Sequence, residues 1–186
     1  MFFYILLISI CCCSDSFNIG LLCGLKSMTF QNHSNSIFYT TTLLVSIISV
    51  LLGIIIKISL PTNLSNILGI YIIIGLGISF LINNTISYKT KYKSFDLDNS
   101  NDIDAYEMFI LGLVLSLNSL YIGISCTLLE FNILLFLLLY SSMQLIFLLF
   151  GFKLGKKDFL TDSNIPRFLL ISSGIILIII GCSLFP

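Results

Sequence analysis

The chain has 186 residues, of which 57% are hydrophobic and 10% charged, and its nine basic residues cancel its nine acidic ones. A soluble domain carries ~25% charged residues, so water is not the main solvent of this chain. Zero net charge also leaves no electrostatic footprint for DNA or RNA, which excludes nucleic acid as an expected partner.

A helix that crosses ~30 Å of hydrocarbon needs ~20 mostly apolar residues, because lipid cannot satisfy exposed backbone groups. Six stretches meet that length: residues 2–25, 37–56, 64–82, 107–129, 131–152 and 168–185. The opening Met1-Phe2-Phe3-Tyr4-Ile5-Leu6-Leu7 lacks the basic flank and small-residue cleavage pattern of a signal peptide, so it is expected to belong to the first span. Polar punctuation follows the first span at Gln31-Asn32-His33-Ser34-Asn35 and the second at Pro61-Thr62-Asn63, and it precedes the sixth at Asn164-Ile165-Pro166-Arg167. Between spans four and five only Glu130 interrupts the apolar run. Cys11, Cys12, Cys13, Cys23, Cys126 and Cys182 all fall inside apolar runs without any Cys-x-x-Cys spacing, and they read as small buried hydrophobes.

Basic residues collect in short cytoplasmic loops. Lys26, Lys89, Lys91, Lys93, Lys153, Lys156, Lys157 and Arg167 lie on the side reached after an odd number of crossings, and only Lys57 lies near the other. The loops after spans one, three and five are therefore expected in the cytoplasm of a plasma-membrane protein, with both termini outside. The longest polar segment, residues 88–106, divides into a basic part and an acidic part. Its run from Asp96 to Asp104 spaces oxygen side chains as a calcium loop does, but it lacks the central glycine and flanking helices of an EF-hand and reads as a linker.

The second half of the chain repeats features of the first. Ser14-Asp15-Ser16-Phe17-Asn18-Ile19-Gly20 aligns with Leu117-Asn118-Ser119-Leu120-Tyr121-Ile122-Gly123, and Cys23 then falls on Cys126. Leu51-Leu52-Gly53 parallels Leu149-Phe150-Gly151, and the run from Leu68 to Gly75 parallels that from Ser173 to Gly181. A unit with an odd number of spans must invert when duplicated, as in secondary transporters. The expected fold is an all-α polytopic membrane protein of six transmembrane helices, arranged as two inverted three-helix repeats. These are residues 1–85 and 107–186, joined by a charged cytoplasmic linker, 86–106. Such a repeat would pack spans one and four together with Asp15 and Asn118 at matching depth.

Asp15 stands about halfway along span one, where an ionised carboxylate costs at least ~2.5–3.5 kcal/mol unless something compensates. It needs a proton, a metal or a donor network. Asn118 holds the same depth in span four, and Ser14, Ser16 and Ser119 flank the two residues. Oxygen ligands of this kind suit a hard divalent cation such as manganese better than a soft one. Asp15, Asn118, Ser14, Ser16 and Ser119 are therefore the candidate metal ligands. Ser141, Ser142 and Gln144 in span five are expected only to pack and to hydrogen-bond between helices. Paired carboxylates, a histidine cluster and a nucleophile with its base are all missing from the pattern, so no enzyme activity and no resident cofactor is expected. The expected partners are the lipid bilayer, a transported divalent ion and other membrane proteins.

The segment from Cys13 to Gly20, continued by Gly24-Leu25-Lys26, resembles the Ser-Leu-Asp-Ser-Phe first-helix motif of YtaF-type sporulation membrane proteins, which are similar to the MntP manganese efflux pumps. Glu107 through Ser119 resembles that family's second copy. Ser65-Asn66-Ile67-Leu68-Gly69, Gly151-Phe152-Lys153-Leu154-Gly155-Lys156-Lys157 and Gly174-Ile175-Ile176-Leu177 extend the likeness. The resemblance implies a six-helix, lysine-exporter-like cation exporter with an aspartate from each repeat at the transport site. Asp15 matches the first aspartate and Asn118 departs from the second, losing a charge but keeping an oxygen. A sporulation protein that kept the fold without transport is the alternative that this departure raises.

The basic asymmetry generates a test of orientation. Single cysteines introduced into residues 88–106 should resist impermeant thiol reagents in intact cells and react after permeabilisation. Labelling in intact cells would reverse the orientation.

Overall fold

The protein is seen as a computed structural model in which residues 2–31, 33–86, 100, 102–156 and 164–185 are described, those of 83–86 and 164–167 as backbone alone. Helices α1 (Phe2–Cys12) and α2 (Ser14–Leu25) are followed by strand β1 (Thr29–Phe30), α3 (Ser34–Ser59) and α4 (Thr62–Ile86). Strand β2 (Asp102–Ile103) precedes α5 (Ala105–Leu128), α6 (Ile133–Gly155) and α7 (Asn164–Ser183).

These helices turn their apolar side chains outward. On α3, Leu44, Ile48, Leu51, Ile55 and Ile58 are exposed at helical spacing, while Thr41, Thr42, Ser46 and Ser49 are buried on the other face. A continuous exposed apolar surface around a partly polar interior suits a lipid solvent and would aggregate in water. Five helical stretches are long and apolar enough to cross a membrane: Phe2–Leu25, Ser34–Ser59, Thr62–Ile82, Ala105–Leu128 and Ile133–Gly155. The sixth expected span is a shorter case. Its helix is 20 residues long, but its described apolar part is only Phe168–Ser183.

Three findings differ from the sequence expectation. Span one is not one uninterrupted helix, because α1 gives way to α2 at Cys13, two residues before Asp15. The Ser14 hydroxyl donates to the Cys11 carbonyl at 2.8 Å beside that break, competing with the backbone ladder. Spans one and four are not the principal neighbours either. The dominant pairings are α2 with α6, α3 with α5, and α4 with α7. Finally, the end of the linker is structured: β1 and β2 pair in parallel, Thr29 and Gln31 donate to Asp102 and Asp104, and the Ser34 hydroxyl donates to the Ile103 carbonyl at 3.1 Å. The linker residues Lys89, Lys91, Lys93, Asp96 and Asp98, and also Lys157, lie outside the described residues, as does the side chain of Arg167.

Backbone contact explains the pairings. Gly20 and Gly24 of α2 face Gly151 and Gly155 of α6, each pair four residues apart in a small-xxx-small pattern. A Cβ added at Gly24 would lie 2.9 Å from the Gly155 Cα, and one added at Gly155 would lie 2.9 Å from the Gly24 Cα. Helices α3 and α5 repeat the device with Ser49 and Gly53 against Gly123 and Thr127, where a Cβ on Gly53 would meet the Thr127 Cβ at 2.8 Å. In both pairs, contacts advance together along the two chains, so the helices run parallel. Gly77 and Gly174 join α4 and α7 in the antiparallel sense, with Gly181 farther along α7 meeting Ile74 farther back on α4.

The ends of α2 and α5 also match. Met28 N–H donates to the Cys23 carbonyl and Ser27 N–H to that of Gly24, while Phe131 N–H donates to Cys126 and Glu130 N–H to Thr127. Both are six-to-one and five-to-two closures of the Schellman kind. Each places a non-glycine residue in the left-handed region, Ser27 at φ 55° and Glu130 at φ 59°. The thin boundary expected at Glu130 is therefore a tight turn, finished by Asn132, whose side chain accepts from the Leu135 N–H at 3.2 Å and caps α6.

A side chain at Gly20 would drive into the Leu148 carbonyl, which belongs to a helix and cannot move aside alone. Gly20→Val should destabilise the bundle by at least the upper end of the ~1–3 kcal/mol typical of overpacking. Gly75→Ala should be tolerated, since a methyl there meets nothing within 4 Å. Thermal unfolding of both purified variants checks this, and equal melting of the two would refute the role given to backbone contact.

Candidate functional site

The glycine contacts set the register that builds the site. Along the parallel pair α2–α6, the Cys13 thiol points to the Tyr140 carbonyl at 3.9 Å, and Gly20 lies against Leu148. Residues 15 and 16 therefore come level with the segment between Tyr140 and Gln144. From α5, the Leu115 carbonyl accepts from Gln144 Nε2 at 3.1 Å, which brings the Asn118 turn to the same level.

At this level Asn118 Nδ2 donates to Asp15 Oδ2 at 2.7 Å. Both residues are half-buried. The bond is charge-assisted if Asp15 is ionised, and such bonds are about twice as strong as neutral ones. The break at Cys13 adds a second favourable term. It leaves Asp15 in the first turn of α2, where the positive end of the helix dipole favours a carboxylate.

The other expected ligands divide. Ser16 is fully buried, and its hydroxyl has no hydrogen-bond partner among the described residues. Ser14 faces α7, with its hydroxyl 3.2 Å from that of Ser173. Ser119 donates back to the Ser116 carbonyl of its own helix. The structure thus brings Asp15, Asn118 and Ser16 to one level, while the Ser14 and Ser119 hydroxyls are engaged elsewhere.

Span five departs from the expectation set for it. Ser141 donates to Leu137 and Ser142 to Leu138, both within α6, so neither hydroxyl makes the bond between helices expected of it. Gln144 does bridge helices. Tyr140, which the sequence reading passed over, is fully buried at the level of the site. Its signal was present as a tyrosine and a glutamine four residues apart, on one face of a span otherwise rich in leucine.

Two apolar clusters close the polar level from above and below. On the side of the odd-numbered loops, Ile19, Cys23, Met28, Phe38, Ile103 and Leu148 belong to one cluster. Phe30 of β1 stacks on Phe152 at 4.2 Å between ring centroids, and the Lys156 ammonium lies 4.5 Å from the same ring. Toward the other side, Ile5, Ile8, Cys12, Ile122, Phe136 and Tyr140 belong to a second cluster. No group of three or more His, Cys, Asp or Glu side chains that could hold a metal occurs among the described residues, so any ion here would be held by one carboxylate and neutral oxygens.

Residues 80–185 match the sequence profile of a family described as "Putative manganese efflux pump". The match includes Asn118, Tyr140 and Gln144 and stops short of Asp15. No curated protein and no solved structure matches the chain.

If the bond between Asp15 and Asn118 helps hold spans one and four together, their effects on stability are coupled. A double-mutant cycle of Asp15→Ala and Asn118→Ala should give ~1.5–3 kcal/mol, the range for a hydrogen bond to a charged group. Additive effects would mean that the carboxylate is protonated or otherwise satisfied.

Proposed function

Because the chain belongs to the manganese-efflux-pump family that its residues 80–185 match, we propose that it is a secondary transporter exporting a divalent cation, Mn2+, across the plasma membrane. The observation that carries this reading is the half-buried Asp15–Asn118 pair, 2.7 Å apart between two apolar clusters. The proposed role is translocation and not catalysis. The first-span likeness to YtaF-type proteins supports a setting in sporulation, where other membrane proteins would be its partners.

We read the architecture as two inverted three-helix repeats, with residues 86–106 as a cytoplasmic linker and both termini outside. Three features support this. The α2–α6 pair and the α3–α5 pair use the same small-residue device in the same parallel sense. The antiparallel pair α4–α7 is what an axis in the membrane plane, passing between equivalent third spans, would produce. The matched left-handed caps at Ser27 and Glu130 stand twelve residues beyond Asp15 and Asn118 respectively.

In the proposed cycle, Asp15 supplies the one negative charge that draws the cation from the cytoplasmic side. Asn118 has two faces. Its amide N–H stabilises the empty carboxylate, and its carbonyl oxygen becomes a ligand when the side chain turns over. A single carboxylate leaves one positive charge uncompensated, so the ion is held weakly enough to be released. Asn118→Asp would place two carboxyl groups at hydrogen-bond distance, where they share a proton unless a divalent ion separates them.

A non-transporting role in sporulation is favoured by one observation, the asparagine standing where the resemblance leads one to expect a second aspartate. Manganese retention in loaded cells separates the two readings. Wild type should lower retained Mn2+, Asp15→Asn should abolish that effect, and Asn118→Asp should strengthen it. Equal retention by all three at equal expression would leave only the non-transporting role.

A further inference from the structure

Among the buried polar atoms that complete no hydrogen bond with the described residues, three come together at one level: Ser16 Oγ, Tyr140 Oη and Gln144 Oε1. Their residues are 0%, 0% and 1% exposed. Burying a polar group without a partner is costly, so three at one level of a bundle call for an explanation. Elsewhere the bundle satisfies its hydroxyls readily, by donation to a carbonyl three or four residues back, as Ser46, Ser49 and Thr127 do.

The geometry shows why Gln144 is left as an acceptor. Its Nε2 is committed to the Leu115 carbonyl at 3.1 Å, which fixes the amide and leaves Oε1 as the remaining face. Tyr140 lies one turn away on the same face of α6, with its hydroxyl turned toward the Gln144 side chain, and within electrostatic reach of Asp15. Ser16 follows Asp15 directly and comes level with Gln144 by the register that Cys13–Tyr140 and Gly20–Leu148 impose. The three atoms therefore lie at the level of the Asp15 carboxylate, two of them on α6.

We propose that Ser16, Tyr140 and Gln144 form the second wall of the cation site, so that the substrate is a hard divalent ion held by the Asp15 carboxylate and neutral oxygens. This rests on the transport reading above and deepens it. A hydroxyl, a phenol and an amide carbonyl are hard donors that suit Mn2+ or Mg2+ and discriminate against thiophilic ions. The nearby Cys13 thiol does not compete, because it points to the Tyr140 carbonyl.

A ligand role and a packing role predict opposite stability effects. Ser16→Ala and Tyr140→Phe each remove an unsatisfied oxygen while preserving most of the packing, so the metal-free protein should melt at the same or a higher temperature. In proteoliposomes, both should raise the Mn2+ concentration for half-maximal transport by about tenfold, the lower end of what lost support around a metal costs. Gln144→Glu should lower it, and Cd2+ should compete with Mn2+ less well than Mg2+ does. If Asp15→Asn abolishes Mn2+ transport while Ser16→Ala and Tyr140→Phe leave half-saturation unchanged, the second wall is refuted and the transport reading stands. If the wild-type protein moves no Mn2+, both fall.

Discussion

Lipid tails are as apolar as leucine, so burying hydrocarbon gives helices within a bilayer little reason to associate. What remains is close contact between backbones, and this bundle obtains it where glycines and other small residues let helices touch. Gly20 and Gly24 against Gly151 and Gly155 fix α2 on α6 in depth as well as in angle, since each missing Cβ accommodates a carbonyl of the other helix. Ser49 and Gly53 against Gly123 and Thr127 do the same for α3 and α5. From these two registers follow the level of Asp15 relative to Gln144 and that of Asn118 relative to the serines of α3.

That shared level makes a carboxylate tolerable about halfway along the first span. The break at Cys13 converts mid-span into a helix N-terminus, and Asn118 contributes a donor. Neither neutralises Asp15 completely. A carboxylate stabilised by dipoles keeps its attraction for a cation, whereas an arginine in place of Asn118 would have cancelled it. The polar atoms left unsatisfied on α6 belong to the same economy, because stability withheld from the empty site becomes available to a ligand.

Much of this could be read from the chain. The scarcity of charged residues and the apolar stretches of spanning length made the membrane class plain, and the common depth of Asp15 and Asn118 emerged from aligning the two halves. The neighbours of each helix did not emerge. Pairing of α2 with α6 joins residues more than a hundred positions apart through glycines, whose meaning depends on what lies opposite them. The break at Cys13 has no proline or glycine to announce it. Gln144 was expected to bond between helices and does so, but Tyr140 was obscured because a period-3.6 apolar stripe in a membrane protein marks the lipid face and says little about which polar residues converge. The pairing of Thr29–Phe30 with Asp102–Ile103 was hidden for a related reason, since two-residue strands carry no periodic signal.

The central claim is that Asp15 anchors one hard divalent cation within the bundle. Electron paramagnetic resonance of Mn2+ titrated into the purified protein tests it most directly, because bound Mn2+ loses the sharp six-line spectrum of the free ion. The account predicts one site per chain, displaced by Mg2+ and abolished in Asp15→Asn protein that remains folded. Binding that survives Asp15→Asn, or a free-ion spectrum throughout the titration, would contradict it.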